Sequence, residues 1–132
     1  MLDFSRPELR PSERPSVVRL MFDEDMNHHV IRGLIRRLPE LDCATVLDLA
    51  RSGDDDMAVL RAAAAEQRLL VSHDVNTMSA ALGQLLAAGE TSYGLLLVPQ
   101  SLEIGRVIED LELVCRATEN EEWVGIMEFL PI

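Results

Sequence analysis

The chain contains no lysine: its 12 basic residues are all arginine, set against 23 aspartates and glutamates, for a formal net charge of −11. That balance excludes broad, non-specific duplex binding, which needs cationic side chains to neutralise many phosphates. It leaves room for a nucleic-acid enzyme whose positive charge comes from a bound metal. It also suits a basic partner, or simple solubility. Aromatic residues are scarce, with one tryptophan, one tyrosine and three phenylalanines. They make no platform for stacking successive bases, which argues against this chain alone reading single-stranded RNA. Cysteine occurs only at Cys43 and Cys115. Two thiols are no disulfide framework and fit buried positions in a reducing cytosol. No apolar run is long enough to span a bilayer, and residues 1–16 lack the apolar core of a secretion signal. No glycine-rich phosphate loop of the Walker or dinucleotide type occurs.

What is present is an ordinary globular composition, 48% apolar and 27% charged over 132 residues. This predicts one domain with a core of its own. Residues 1–16 hold three of the six prolines and read as a tail with little fixed structure, or an arm that orders on a partner. The folded domain then runs over residues 17–132. Short apolar runs predict strands at Val17–Phe22, Cys43–Leu47, Leu69–Ser72, Gly94–Val98 and Val124–Leu130. Apolar residues at helical spacing fall between them. They run from Met26 to Leu38, ended by Pro39; from Met57 to Ala64; from Met78 to Leu86, with Gly89 as C-cap; and from Ile104 to Val114, capped by Ser101. The alternation predicts a three-layer α/β/α domain around a mostly parallel sheet of about five strands. The crossovers are expected to be right-handed, with the last strand at an edge.

Ligand sites in such sheets lie beyond the carboxyl ends of the strands. Acidic residues concentrate there. Asp23, Glu24 and Asp25 follow the first strand, and Asp74 follows the third. Asp54, Asp55 and Asp56 stand where a helix begins after the second. Gathered carboxylates repel one another, and a hard cation such as Mg²⁺ or Mn²⁺ relieves that repulsion. Bound metal activates water and stabilises phosphoryl charge, so phosphodiester hydrolysis is the natural reaction class. Each aspartate near a helix start also reads as a plain helix cap, but three acidic junctions on one sheet edge favour a site. Arg32 and Arg36 share a helix face at i,i+4 spacing and suit phosphate, or line a solvated face. His28 and His29 read as exposed polar positions, and His73 as pointing away from the site. Ser72 either hydrogen-bonds a site carboxylate or closes the strand end.

Asp23-x-Asp25 after a strand resembles haloacid-dehalogenase-type phosphatases, and the spacing of the acids resembles receiver domains. Both families use a lysine as a compact point charge, a role arginine fills poorly. A further resemblance uses more of the chain. Leu20-Met-Phe-Asp-Glu-Asp-Met26 resembles the opening segment of small bacterial PIN-like proteins. Ser52-Gly-Asp-Asp-Asp-Met-Ala-Val-Leu60 is similar to their G-x-x-D-x-x-I-L segment, and Arg68-Leu-Leu-Val-Ser-His-Asp74 to their R-V-L-V-T-x-D segment. The resemblance spans about residues 17–132, with its specific part between Leu20 and Asn76.

The resemblance implies a three-layer PIN-like fold and a metal-dependent ribonuclease of the VapC-like toxin superfamily. It assigns Asp23, Asp56 and Asp74 as catalytic and metal-binding residues, with Mg²⁺ or Mn²⁺ as cofactor. Glu24 and Asp25 become auxiliary, Asp25 standing where the family often has asparagine. Asn76 departs from the pattern, replacing a commonly found aspartate with an amide. Arg32 and Arg36 would contact the RNA substrate. The other partners implied are an antitoxin protein and a second copy of the chain, in the cytoplasm and away from membranes. Two rival readings stand beside this one. A degenerate PIN-like interaction module is favoured by Asn76 and the missing aromatics; an acidic-site phosphatase is the weaker alternative.

Overall fold

Leu20, Met21, Phe22, Leu69, Leu70 and Val71 are all fully buried, which a strand achieves only when both of its faces are covered. These residues form the centre of a five-stranded, all-parallel sheet in a computed structural model that describes residues 18–49 and 55–132. The expected tail over 1–16, the strand start at Val17 and the break containing Asp54 fall outside the described residues. The elements are β1 (Leu20–Phe22), α1 (His28–Arg37), β2 (Cys43–Thr45), α2 (Val46–Leu49), α3 (Asp56–Ala65), β3 (Leu69–Ser72), α4 (Thr77–Ala87), β4 (Leu95–Leu97), α5 (Ile104–Ala117) and β5 (Met127–Phe129). A 3-10 turn over Asn120–Trp123 precedes the last strand.

The strand order is β2-β1-β3-β4-β5. Side chains alternate across it. Leu20, Phe22, Leu69, Val71, Leu96 and Val98 face α1 and α5. Met21, Leu70, Leu95 and Leu97 face α3 and α4. Three layers result, as the sequence predicts. The helices largely bury the expected faces, but Ile35, Leu86 and Ile104 are 38–40% exposed rather than in the core.

Local chemistry sets the boundaries. Asn27 caps α1 by accepting the His29 N–H at 2.8 Å, so the helix starts after Met26. The second strand stops at Thr45 because Asp48 accepts both its N–H, at 2.9 Å, and its hydroxyl, at 3.1 Å, turning the chain into α2. Gly89 ends α4 with φ +81, as expected of a left-handed cap. Ser101 does not cap α5; the cap residue is Glu103, whose side chain makes no capping bond.

The crossovers depart from expectation in one place. The connections from β1 to β2, β2 to β3 and β3 to β4 share one hand. The last, from β4 to β5, moves outward while α5 lies on the α1 side, which gives it the opposite hand. The cause is burial. Placed beyond α4, α5 would leave Val71, Leu96 and Val98 bare; beside α1 it covers them. Gly33 allows the two helices to meet, since a Cβ there would stand 2.5 Å from Ile108 Cδ1.

The sheet's amino-terminal edge is tied by a buried arginine. Arg68 Nη1 donates to Asp42 Oδ1 at 2.7 Å and to the Leu20 carbonyl at 3.2 Å, while its Nε has no partner. The Arg68 hydrogen bond holds the Asp42 carboxyl below its ordinary range. Arg68→Met is expected to cost about 0.5–1.5 kcal/mol at pH 7, through the lost bonds to the Asp42 carboxylate and the Leu20 carbonyl. A lowered carboxyl stabilises above its unfolded value and loses that contribution as pH falls through the folded one. The gap in urea midpoint between wild type and variant should therefore narrow below about pH 4, leaving the part due to the Leu20 carbonyl.

Candidate functional site

The chain leaves β1 toward β2 over one face and leaves β3 toward β4 over the other. The carboxyl ends of β1 and β3 are thus the topological switch point, the place where open parallel sheets hold a ligand crevice. Asp23 follows β1 directly and continues its ladder, its N–H donating to the Val71 carbonyl at 2.9 Å. Asp74 stands two residues past the end of β3.

Ser72 joins them. It is fully buried. Its hydroxyl donates to Asp23 Oδ2 at 2.7 Å and accepts the Asp74 N–H at 3.0 Å. The other Asp23 oxygen accepts the Glu24 N–H at 2.9 Å. The half-buried Asp23 carboxylate is therefore fixed in one rotamer. Burial pushes its pKa up, and the charges of Asp25 and Asp56 push the same way. The bonds from Ser72 and Glu24 oppose this without cancelling it. Asp56, the first residue of α3, thus lies within electrostatic reach of Asp23.

Asp74 is arranged differently. Its Oδ1 accepts the N–H groups of Asn76, at 3.2 Å, and Thr77, at 2.9 Å, and its Oδ2 accepts the Thr77 hydroxyl. The Thr77 hydroxyl bond is the largest influence holding its pKa down. The Asp74 carboxylate thus holds the backbone N–H groups that lead into α4, whose N-cap position is Asn76. Thr77 escaped the sequence reading; its signal was Asp74-x-x-Thr77 at a helix start. Asp55, not Asp56, caps α3, accepting the Ala58 N–H at 2.8 Å.

Glu24, Asp25 and Asn76 are all exposed at this end of the sheet. His73 is held elsewhere, its Nδ1 lying 2.8 Å from the Val98 carbonyl oxygen. Arg32 and Arg36 are exposed, one and two turns into α1. Among the described residues they are the arginines without a carboxylate partner. Arg19 and Arg68 pair with Asp42, Arg37 and Arg116 with Glu112, Arg61 with Glu90, and Arg106 with Asp110.

Among the described residues, no three His, Cys, Asp or Glu side chains form a ready-made ligand cage. A cage is not what a small hard cation requires, because Mg²⁺ keeps several waters and takes one or two carboxylates. The residues present fit such an ion. Asp23 is oriented, its pKa is raised first by burial and then by the charges of Asp25 and Asp56, and a cation would relieve that repulsion. No helix among the described residues is long and apolar enough to cross a membrane. Comparisons with protein-family models, with curated proteins and with solved structures find no match.

Proposed function

We propose that this chain is a PIN-like, Mg²⁺- or Mn²⁺-dependent ribonuclease. The observation that carries the reading is the Ser72 bridge at the switch point. It fixes the Asp23 carboxylate, whose pKa is raised, and ties it to the backbone of Asp74, whose own carboxylate Thr77 holds low, so the two acids differ in proton affinity. Asp23, flanked by Asp25 and Asp56, holds the cation. When bound, that cation supplies an activated water and stabilises charge on a phosphoryl oxygen. Ser72 fixes the Asp23 rotamer. Asp74 stays ionised, its carboxylate held by Asn76 and Thr77 at the start of α4. Arg32 and Arg36, without a carboxylate partner among the described residues, take the phosphates of the RNA backbone. A toxin restrained by an antitoxin in the cytoplasm is the setting such an activity fits.

A non-hydrolytic interaction module is the second reading. It is favoured by the Asp74 carboxylate, already engaged at the start of α4, and by the amide at Asn76.

Calorimetric titration with Mn²⁺ tests the metal site. Wild type is expected to bind, and Asp23→Asn/Asp74→Asn to bind about tenfold more weakly or not at all. The asparagines keep oxygens for the Ser72 and helix-start bonds, so circular dichroism should be unchanged. A folded wild type that takes up no Mn²⁺ at millimolar concentration overturns the proposal and leaves the interaction module.

A further inference from the structure

Exposed apolar side chains concentrate at the β5 end of the molecule. Val124, Ile126, Met127, Phe129 and Ile132 are 39–62% exposed, and Leu113 of α5 beside them is 50% exposed. Leu113, Trp123, Glu128 and Ile132 line a groove of about 510 Å³ between α5 and this strand. β5 is an edge strand, paired only with β4. An open apolar edge invites another strand.

The register defines what would fit. Glu128 pairs with Leu96, on the α5 side of the sheet, while Met127 and Phe129 pair with Leu95 and Leu97, on the α4 side. A strand added beside β5 would meet apolar side chains on one face and a carboxylate on the other. The surrounding charge is also negative. Glu119, Glu121, Glu122 and Glu128 are all exposed. The arginines of α5 are already engaged, Arg106 with Asp110 and Arg116 with Glu112.

We infer that the β5 edge is a docking surface for an extended segment of a partner protein in which apolar residues alternate with lysine or arginine. A second copy fits poorly, because it brings the same acidic rim and a net charge of −11 with no lysine. The inference is independent of the metal site, which lies at β1 and β3.

The test uses two short synthetic peptides, one alternating valine with lysine and one alternating valine with glutamate. Binding to the full chain is followed by calorimetry and by the fluorescence of Trp123, the only tryptophan. The lysine peptide is expected to bind at least about tenfold more tightly, with affinity falling as salt rises. Phe129→Asp should weaken it about tenfold or more, and Glu128→Lys should reverse the preference between peptides. Both positions are exposed, so thermal melts should hold. Equal binding of the two peptides, or binding of neither, overturns the inference. So does a wild-type dimer in sedimentation that Phe129→Asp dissolves, since it would make a second copy the occupant.

Discussion

Asp23→Asn is expected to lower metal-dependent RNA cleavage by a factor of about 10² to 10⁴, the range for removing a group that positions or deprotonates the attacking water. The change removes one oxygen and the charge, and leaves the backbone of the β1 end in place. Stability should report that the loss is chemical. The variant forfeits one of the two acceptors that Ser72 and Glu24 now use, a cost of about 0.5–1.5 kcal/mol. It also removes a carboxylate that is uncomfortable when ionised. Burial and the neighbouring acids raise the Asp23 pKa, so the native state binds its proton more tightly than the unfolded state does. Wild-type stability must therefore fall as pH rises through that interval. Asparagine has no such descent. The difference in urea midpoint should move in the variant's favour from pH 3 to pH 7, ending within about 1 kcal/mol of wild type. Full cleavage by the variant would refute Asp23 as the metal's carboxylate. Loss of cleavage together with unfolding would leave the role unassigned, and Ser72→Ala then decides. It should spare the charge, free the Asp23 rotamer and lower cleavage by a smaller factor.

Gly94→Ala is expected to destabilise the fold by about 2–5 kcal/mol, combining positive-φ strain with overpacking. Gly94 sits at φ +104 just before β4, and a Cβ there would stand 2.7 Å from the Trp123 carbonyl oxygen and 2.9 Å from both Leu69 Cδ1 and Trp123 Cβ. A carbonyl of the main chain cannot step aside as a side-chain tip can. The glycine is also held on its other side, its N–H donating to the buried Ser92 hydroxyl at 3.0 Å, while the Ser92 carbonyl accepts from Gly125 at 2.9 Å. Movement to relieve the clash would thus disturb the loop into β5. Gly83→Ala is the control. That helical position has nothing within 4 Å of a new Cβ and should gain about 0.5–1 kcal/mol from helix propensity. A denaturation midpoint for Gly94→Ala within about 1 kcal/mol of wild type would contradict the packing described here.

Layering, strand number and strand direction were legible because they rest on patterns of apolar residues that local sequence displays. Three buried residues in a row at Leu20–Phe22, and again at Leu69–Val71, leave no other place for a strand than the sheet interior. The last strand was legible as an edge because Glu128 interrupts its apolar run. What escaped the sequence was set by contacts far apart in the chain. Nothing local to Ile104–Val114 says which face it will cover; that depends on what α1 and α4 have left bare. Arg68 gave no sign of its burial, because its partners lie far away in the chain, Leu20 on β1 and Asp42 just before β2. The site divides in the same way. The positions of Asp23 and Asp74 followed from strand ends. The Ser72 bridge and the engagement of Asp74 by Thr77 depend on rotamers, which spacing alone does not fix.

The reversed hand of the final connection bears on how the chain is made. β1, β2, β3 and β4, with α1, α3 and α4, all precede α5 in sequence. During synthesis domains assemble from the amino terminus. The α3–α4 side can therefore seal while α5 is still inside the ribosome, and Ser72 can already reach Asp23. Val30, Leu34 and Val71 stay wet until residues 104–117 emerge and settle next to α1. The β1–β3 end of the sheet is thus the older half of the molecule, and the hydrophobic back wall is the part exposed to chaperones and proteases for longest.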